Sequence, residues 1–164
     1  MKRAFILSLI SIGSVATFLG GCTTFAKPQA NNQSTSTATG TLSYSCAPWD
    51  GAAIQLDIQN NTHQPFPKLT FNFYNQLENF RKPAVKNIRY RFVAETESLK
   101  NGGAAFYKES ASTYEYPAVA EVTFETLSNT GVSTGYYKIK LKNKTIESQF
   151  KTAGWLKQAP QLCG

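Results

Sequence analysis

Apolar residues alternate with polar ones through most of the chain from Thr41 onward, and this period of two constrains the fold more than any other feature. In "AAIQLDIQN", Ile54, Leu56 and Ile58 fall on one face of an extended chain, and the residues between them are polar. Such alternation is typical of antiparallel strands that bury one face. The pattern recurs at Leu69, Phe71 and Phe73; at Ile88, Tyr90 and Phe92; at Val122 and Phe124; at Tyr137, Ile139 and Leu141; and at Ile146 and Phe150.

Clusters of Asn, Gly and Pro separate these runs, and residues of these types terminate strands and form turns. The separating segments are "NNTHQPFP", "NQLENFRKP", "LKNGG", "SNTGVSTG" and "LKNKT". Eight or nine short strands within about 120 residues predict an all-β fold, a single antiparallel β-sandwich or a small β-barrel, over residues 41–164. No segment has a helical period, and we expect residues 95–100 to hold one helical turn at most.

The runs around Val122 and Ile139 allow the register of one hairpin, residues 118–127 and 135–142, to be predicted. If Val122 shares a buried face with Ile139, the numbers of opposed residues must add up to an odd number, because a shift of one residue reverses every side chain. Opposite charges on the outer face of this hairpin select the register more than they stabilise the sheet, since each pair is worth about 0.2–1 kcal/mol. The outer face carries Glu121, Glu125, Lys138, Lys140 and Lys142, and the lysine series, which continues to Lys144, is best interpreted as an exposed strand face.

The N-terminus has the layout of a secretory signal. Two basic residues follow Met1, and the apolar run that extends to Phe18 is shorter than the roughly 20 residues of a membrane-spanning helix. The sequence "LGGC" at 19–22 then resembles the lipobox of bacterial lipoproteins. The resemblance implies that residues 1–21 are a signal peptide, that a diacylglyceryl group is attached to the thiol of Cys22, and that its new amino group is acylated. The alternative is an ordinary signal peptide with Cys22 free or paired.

Residues 22–40 are predicted to form a flexible tether, because they are rich in Ser, Thr, Asn and Gln and lack an apolar pattern. Thr23 occupies the position at which an aspartate commonly retains a lipoprotein at the inner membrane, so the resemblance implies the outer membrane, facing the periplasm. Removal of residues 1–21 from the 164 leaves 143 residues, enough for one domain, and the loss of two basic residues lowers the formal charge from +7 to +5. Contact with the membrane, lipopolysaccharide or an acidic envelope protein is compatible with this charge, and we expect no nucleic-acid partner.

The chain has three cysteines, and an odd number cannot pair within one molecule. With Cys22 assigned to lipid, we predict a disulfide between Cys46 and Cys163, because disulfides persist in exported proteins. The alternative is two free thiols. A metal site is not expected, since His63 is the single histidine. Trp49 and Trp155, each within a few residues of one of these cysteines, are expected to pack around the bridge.

Two groups of residues are candidates for a binding surface. One is a basic run with no acidic residue inside it, and the other is a pair of alternating tyrosines in "STYEYPAV" that suits stacking on a sugar ring or anchoring of a protein. The alternatives are a solvated strand face for the basic run and half-buried sheet aromatics for the tyrosines. The candidate residues are Arg81, Lys82, Lys86, Arg89, Arg91, Tyr114 and Tyr116.

No catalytic constellation is recognisable: there is no G-x-S-x-G elbow and no phosphate-binding loop, and we predict neither catalytic residues nor a cofactor. The sequences "YSC" at 44–46 and "CG" at 163–164 resemble parts of the small lipoprotein inhibitors of lysozyme. The sequence therefore predicts a lipid-anchored, non-catalytic binding or envelope-assembly module whose ligand is an envelope protein, lipopolysaccharide or a glycan. The alternatives are an inhibitor of a host or competitor hydrolase, favoured by an acidic loop tip at Glu95 and Glu97, and an envelope enzyme, favoured by two carboxylates in one groove.

Overall fold

A computed structural model describes residues 37–49, 51–60, 63–93, 102–156 and 163, all within one compact unit, Gln33–Gly164. The predicted signal peptide, Cys22, residues 22–36 of the predicted tether, and Glu95 and Glu97 lie outside the described residues. The elements are β1 (Ala38–Cys46), β2 (Ala52–Gln59), β3 (Lys68–Tyr74), α1 (Leu77–Arg81), β4 (Ala84–Val93), β5 (Gly103–Lys108), β6 (Tyr114–Glu115), β7 (Val119–Ser128), β8 (Val132–Lys140) and β9 (Thr145–Trp155).

The nine strands form one curled sheet, a half-barrel, in the order β4-β7-β8-β9-β1-β2-β3-β5-β6. The all-β prediction is confirmed, but the expectation of purely antiparallel pairing is wrong at one place. Strands β1 and β9 pair in parallel, with Ala38 opposite Phe150 and Leu42 opposite Trp155. Alternation identifies strands but does not indicate which distant strands become neighbours, so this pair could not be predicted from the sequence pattern.

The predicted buried faces are confirmed in the central strands. Ile54, Leu56 and Ile58 of β2 are buried, as are the alternating apolar residues of β3, β7 and β8. The interior is strongly aromatic, and the ring of Phe92 on β4 lies 5.7 Å from the rings of both Phe71 and Phe73 on β3. These contacts join strands that are far apart in the strand order, so the concave side of the curled sheet is filled by side chains.

Gly103 at the start of β5 allows the two ends of the sheet to approach each other. A Cβ atom at this position would overlap the ring of Phe92 on β4 and the backbone oxygen of Asn72 on β3. The absence of a side chain therefore lets β4, the first strand in the order, reach the neighbourhood of β5.

Helix α1 lies in a segment that the sequence predicted to be a turn, which is a correction. Five residues are too few for a helical period to be recognised. The helix buries Phe80, whose ring lies 5.2 Å from that of Phe73 and 5.6 Å from that of Phe124. The helical turn considered for residues 95–100 falls outside the described residues.

The register predicted for the β7–β8 hairpin is confirmed. Ala120 lies opposite Ile139 and Val122 opposite Tyr137, so the numbers of opposed residues add up to an odd number as far as Phe124, where a bulge shifts the register. The expected charge pairing is only partly realised: Glu121 lies opposite Lys138 in the register, yet Lys138 forms its ion pair with a carboxylate of β9. The sequence pattern fixes which face a charge occupies but not which neighbouring strand supplies its partner.

The predicted pairing of Cys46 with Cys163 is confirmed. Their Cα atoms lie 5.6 Å apart, within the range of about 4.4–6.8 Å found for disulfides.

Strand β1 begins at Ala38, three residues before Thr41, so residues 38–40 of the predicted tether belong to the sheet. A truncated domain for experiments should accordingly start at Gln33, where the compact unit begins.

The hairpin register gives a first prediction, measured by urea denaturation of residues 33–164. Ile139 is fully buried and Lys140 is exposed. Ile139→Asp should lower the free energy of unfolding by several kcal/mol, because it buries an unpaired carboxylate, and even a neutral polar group buried without a hydrogen bond costs roughly 2–7 kcal/mol. Lys140→Glu, the matched control, should change it by less than about 1 kcal/mol. Equal losses in the two variants would show that the face assignment is inverted.

The disulfide gives a second prediction. The Cys46→Ser/Cys163→Ser double variant should lose stability, because the bridge closes a loop of 117 positions, and the chain-entropy relation gives about 4.7 kcal/mol for a loop of about 100 residues. Disulfides typically contribute less than this relation gives, about 2–4 kcal/mol, so a loss in this range is expected in urea denaturation. A double variant as stable as the parent would show that other β1–β9 contacts already restrain the chain end.

Candidate binding surfaces

The seven predicted binding residues form two surfaces. Arg81 and Lys82 lie at the end of α1, and the other basic residues lie on β4; the tyrosines belong to β6 and the residue after it. Strands β4 and β6 are the two ends of the strand order. The basic run on β4 and the tyrosine pair at β6 therefore lie at opposite ends of the strand order.

Two arginines of the basic run form ion pairs that the sequence did not indicate. Arg89 Nη2 lies 2.7 Å from Glu121 Oε2 and Arg91 Nε lies 3.5 Å from Glu121 Oε1, so one carboxylate of β7 pairs with two guanidinium groups of β4. Lys82 Nζ donates a hydrogen bond to Asn79 Oδ1. The acidic partner, Glu121, comes from the neighbouring strand β7. Inspection of the basic run alone could not reveal it.

Ionic side chains form a row across the outer face of four adjacent strands. In the register, Arg91 of β4, Glu121 of β7, Lys138 of β8 and Glu147 of β9 lie opposite one another in turn. Lys138 Nζ lies 2.9 Å from Glu147 Oε2, and the hydrogen bond to this carboxylate raises the pKa of Lys138. The alternation of sign along the row leaves each carboxylate beside at least one cation.

A groove of about 280 Å³, called here the β8 groove, opens on this face. It contains an exposed aromatic side chain, Tyr136, with 49% of its surface accessible. The groove also holds two carboxylates, with Lys138 between them in the register. Its lining is Glu121, Tyr136, Tyr137, Lys138, Glu147, Ser148 and Gln149.

The tyrosine pair is part of a larger aromatic patch, defined by Trp49, Tyr74, Tyr114 and Tyr116. The rings of Tyr114 and Tyr116 meet edge to face at 5.7 Å, and those of Trp49 and Tyr74 meet in the same way at 5.1 Å. Burial raises the pKa of Tyr74, and the neighbouring phenol of Tyr116 adds to this increase, which connects the two halves of the patch.

The aromatic patch has a buried centre and an exposed rim. Tyr74 is 6% exposed and packs with Ala47 and Ala53 in a small apolar cluster. Around it, the exposed fractions are 43% for Trp49, 39% for Tyr116 and 61% for Tyr114. Large aromatic side chains that keep this much surface in water are the residue types enriched at protein interfaces.

The two tryptophans have contacts other than those expected around the disulfide. Trp49 contributes to the aromatic patch, whereas Trp155 stacks on Tyr44 with ring centroids 4.8 Å apart. Trp155 Nε1 donates a hydrogen bond to the backbone oxygen of Asn129 at 2.8 Å. Tyr44, on which Trp155 stacks, shares strand β1 with Cys46.

The lysine series does not form one continuous strand face. Strand β8 ends at Lys140, and the turn that follows carries Lys144 to Glu109, where Nζ and Oε1 are 2.8 Å apart. Lys144 Nζ also lies 5.0 Å from the centre of the Tyr107 ring, and the hydrogen bond to Glu109 raises its pKa. The interpretation as exposed strand residues holds for Lys138 and Lys140, while Lys144 links the turn to the residues near β5.

Within the described ranges, no three His, Cys, Asp or Glu side chains are grouped so that they would hold a metal ion. The same residues include no helix of the length and apolarity that crossing a bilayer requires.

A comparison with family models, curated proteins and solved structures found no match for this chain. The chemistry of the candidate surfaces is therefore the available indication of function.

Proposed function

We propose that this chain is a lipid-anchored lipoprotein of the bacterial cell envelope, facing the periplasm from the outer membrane, and that it acts by non-catalytic binding of an envelope protein. The anchor rests on the lipobox-like "LGGC" at 19–22 and the basic and apolar residues before it. The disulfide between Cys46 and Cys163 is in keeping with an oxidising compartment.

The aromatic patch is the observation that carries the binding function. Interface energy is concentrated in a few residues, with Trp and Tyr enriched among them, and these residues tend to cluster around a desolvated centre. Trp49 packs edge to face on the buried Tyr74, and Tyr116, whose phenol interacts electrostatically with Tyr74, packs edge to face on Tyr114. A partner that covers the rim would remove the remaining aromatic surface from water, which is favourable by roughly 25 cal/mol per Å² of apolar surface.

The β8 groove supports binding more than acid–base catalysis. It does carry two carboxylates, the feature that would favour an enzyme, but both are engaged in ion pairs. Glu121 is paired with two arginines and Glu147 with Lys138. A carboxyl group that acts as a general acid typically lies in apolar surroundings, whereas each carboxylate of this groove has a cation within 4 Å. The acidic residues that would favour the inhibitor, Glu95 and Glu97, lie outside the described residues.

The lipid anchor is tested by Cys22→Ser in the full precursor. The variant should incorporate no labelled fatty acid, because the chain near Gly20 and Gly21 offers no other thiol to the diacylglyceryl transfer. Metabolic labelling followed by gel electrophoresis measures this. The Cys46→Ser/Cys163→Ser double variant is the control and should keep its label. Label retained on the Cys22→Ser variant would contradict the proposed anchor.

The binding function is tested by placing a photoreactive phenylalanine analogue at position 114 and irradiating intact envelopes. We expect a cross-link to one envelope protein. The yield should fall about tenfold when Trp49→Ala is added, because a central interface aromatic contributes about 2 kcal/mol or more. Trp49 is 43% exposed, so its truncation should leave the fold intact, which the urea midpoint verifies.

The same analogue at position 136 is the matched control, because Tyr136 is an exposed tyrosine on β8, outside the patch. Position 136 should give no cross-link to that protein. Equal cross-linking from both positions, or a yield from position 114 that Trp49→Ala does not change, would show that the aromatic patch is not the contact surface.

A further inference from the structure

The β8 groove has a character different from that of the aromatic patch, and the binding function proposed above does not use it. We propose that the β8 groove is a second binding site, and that it takes a neutral saccharide with one pyranose ring stacked on Tyr136.

The lining offers an apolar surface edged by hydrogen-bonding groups. The Tyr136 ring, half exposed, is a flat apolar surface, and the side chains of Lys138 and Gln149 add methylene groups beside it. The amide of Gln149 and the two carboxylates supply hydrogen-bond donors and acceptors. A pyranose ring has the complementary arrangement, with a face of C–H groups and a rim of hydroxyls. Tyrosine suits such a ligand because its body is apolar and its hydroxyl is polar.

The volume of the groove limits the bound part of the ligand to a small group. Its volume of about 280 Å³ is close to the lower limit of about 300 Å³ for pockets that hold drug-sized ligands. One or two sugar rings fit this scale, and a longer saccharide can continue along the open face of the sheet. A folded protein domain would need a far larger contact area, about 800 Å² on each partner.

The charges of the groove favour a neutral ligand. Every ionic group in the lining has an opposite charge within 4 Å: Glu121 has two arginines, and Lys138 and Glu147 have each other. A charged ligand would have to compete with these pairs, whereas hydroxyl groups can share hydrogen bonds with them. The lining therefore presents strong donors and acceptors without a large net field.

A buried hydroxyl next to Tyr136 also points to a ligand with hydroxyl groups. Thr123 of β7 lies opposite Tyr136 in the register and is only 6% exposed. Its Oγ1 atom has no hydrogen-bond partner among the residues that the structure describes. Buried polar groups are usually paired, and an unpaired one costs about 1–3 kcal/mol. A ligand hydroxyl that displaces the Tyr136 ring slightly would give Thr123 a partner.

The experiment titrates the full chain, held in phosphatidylcholine nanodiscs, with three neutral tetrasaccharides: cellotetraose, maltotetraose and fully N-acetylated chitotetraose. Isothermal titration calorimetry should detect at least one of them with a Kd of about 1 mM or below. Tetragalacturonate, an anionic tetrasaccharide, should bind more weakly than the best neutral one. No binding of the three neutral probes, or tighter binding of tetragalacturonate than of all three, would overturn the proposal.

Variants separate the β8 groove from the rest of the surface. Tyr136→Ala should weaken the best tetrasaccharide about tenfold or more, and Tyr136→Phe should retain most of the affinity, because the ring provides the stacking. Tyr114→Ala is the matched control and should leave the affinity unchanged. Because Tyr136 is half exposed, its truncation should not unfold the sheet, and the urea midpoint checks this. Saccharide binding that survives Tyr136→Ala, or that is lost equally in Tyr114→Ala, would contradict the site.

Salt provides an independent measurement. Raising NaCl from about 0.01 M to about 0.1 M shortens the Debye length from about 30 Å to about 10 Å, which weakens attraction between exposed charges. The affinity for the neutral tetrasaccharide should change by less than about twofold. A loss of affinity of about tenfold over this range would show that the groove recognises charge, and the proposal would fail.

Discussion

The parallel contact between β1 and β9 is the interaction on which the rest of the structure depends. Strand β1 stands in the middle of the strand order, with β4, β7, β8 and β9 on one side and β2, β3, β5 and β6 on the other. Its pairing with β9 is the only link between these two groups in the hydrogen-bonded order of the described strands. Without it, the half-barrel would separate into a four-stranded sheet (β4, β7, β8 and β9) and a five-stranded sheet (β1, β2, β3, β5 and β6), each with its apolar face open to water.

Several further contacts strengthen this junction. The backbone N–H of Leu156 donates a hydrogen bond to the carbonyl oxygen of Leu42 at 2.8 Å, and the ring of Tyr44 stacks on Trp155. The disulfide then attaches the end of β1 to Cys163. Parallel pairing over a long sequence separation gains nothing from local chain connectivity, because the loop-closure entropy must be met first. A covalent bond at the same junction lowers this entropy in the unfolded chain, so it acts where the fold is most dependent on a distant contact.

The sequence predicted the parts of this fold that depend on one strand at a time. Alternation identifies the buried face of Ile54 and Leu56, and the hairpin register follows because Val122 and Ile139 must both point inward. The parallel junction, the helix around Phe80 and the partner of Arg89 were not predictable in this way. Each arises from residues brought together by the strand order, and a local period contains no information on that order.

The same limit explains why the candidate binding residues were only partly found. Tyr114 and Tyr116 were identified from their alternation, but their connection with Trp49 and Tyr74 runs from β6 to the segment after β1 and to β3. The basic run was a good candidate only as long as its partner on β7 was unknown.

The two proposed sites use the two halves of the sheet for different physical purposes. On the side of β3 and β6, the outer face keeps aromatic surface exposed around Tyr74, which favours a ligand that removes apolar area from water. On the side of β7, β8 and β9, the outer face pairs Glu121 and Glu147 with cations, so these carboxylates leave little charge to attract an ion. Exposed pairs of this kind stabilise the fold by at most about 1 kcal/mol each. Their larger effect is on recognition, because paired charges beside Tyr136 hold hydrogen-bonding groups in fixed positions, and a neutral ligand can meet those groups without separating the pairs.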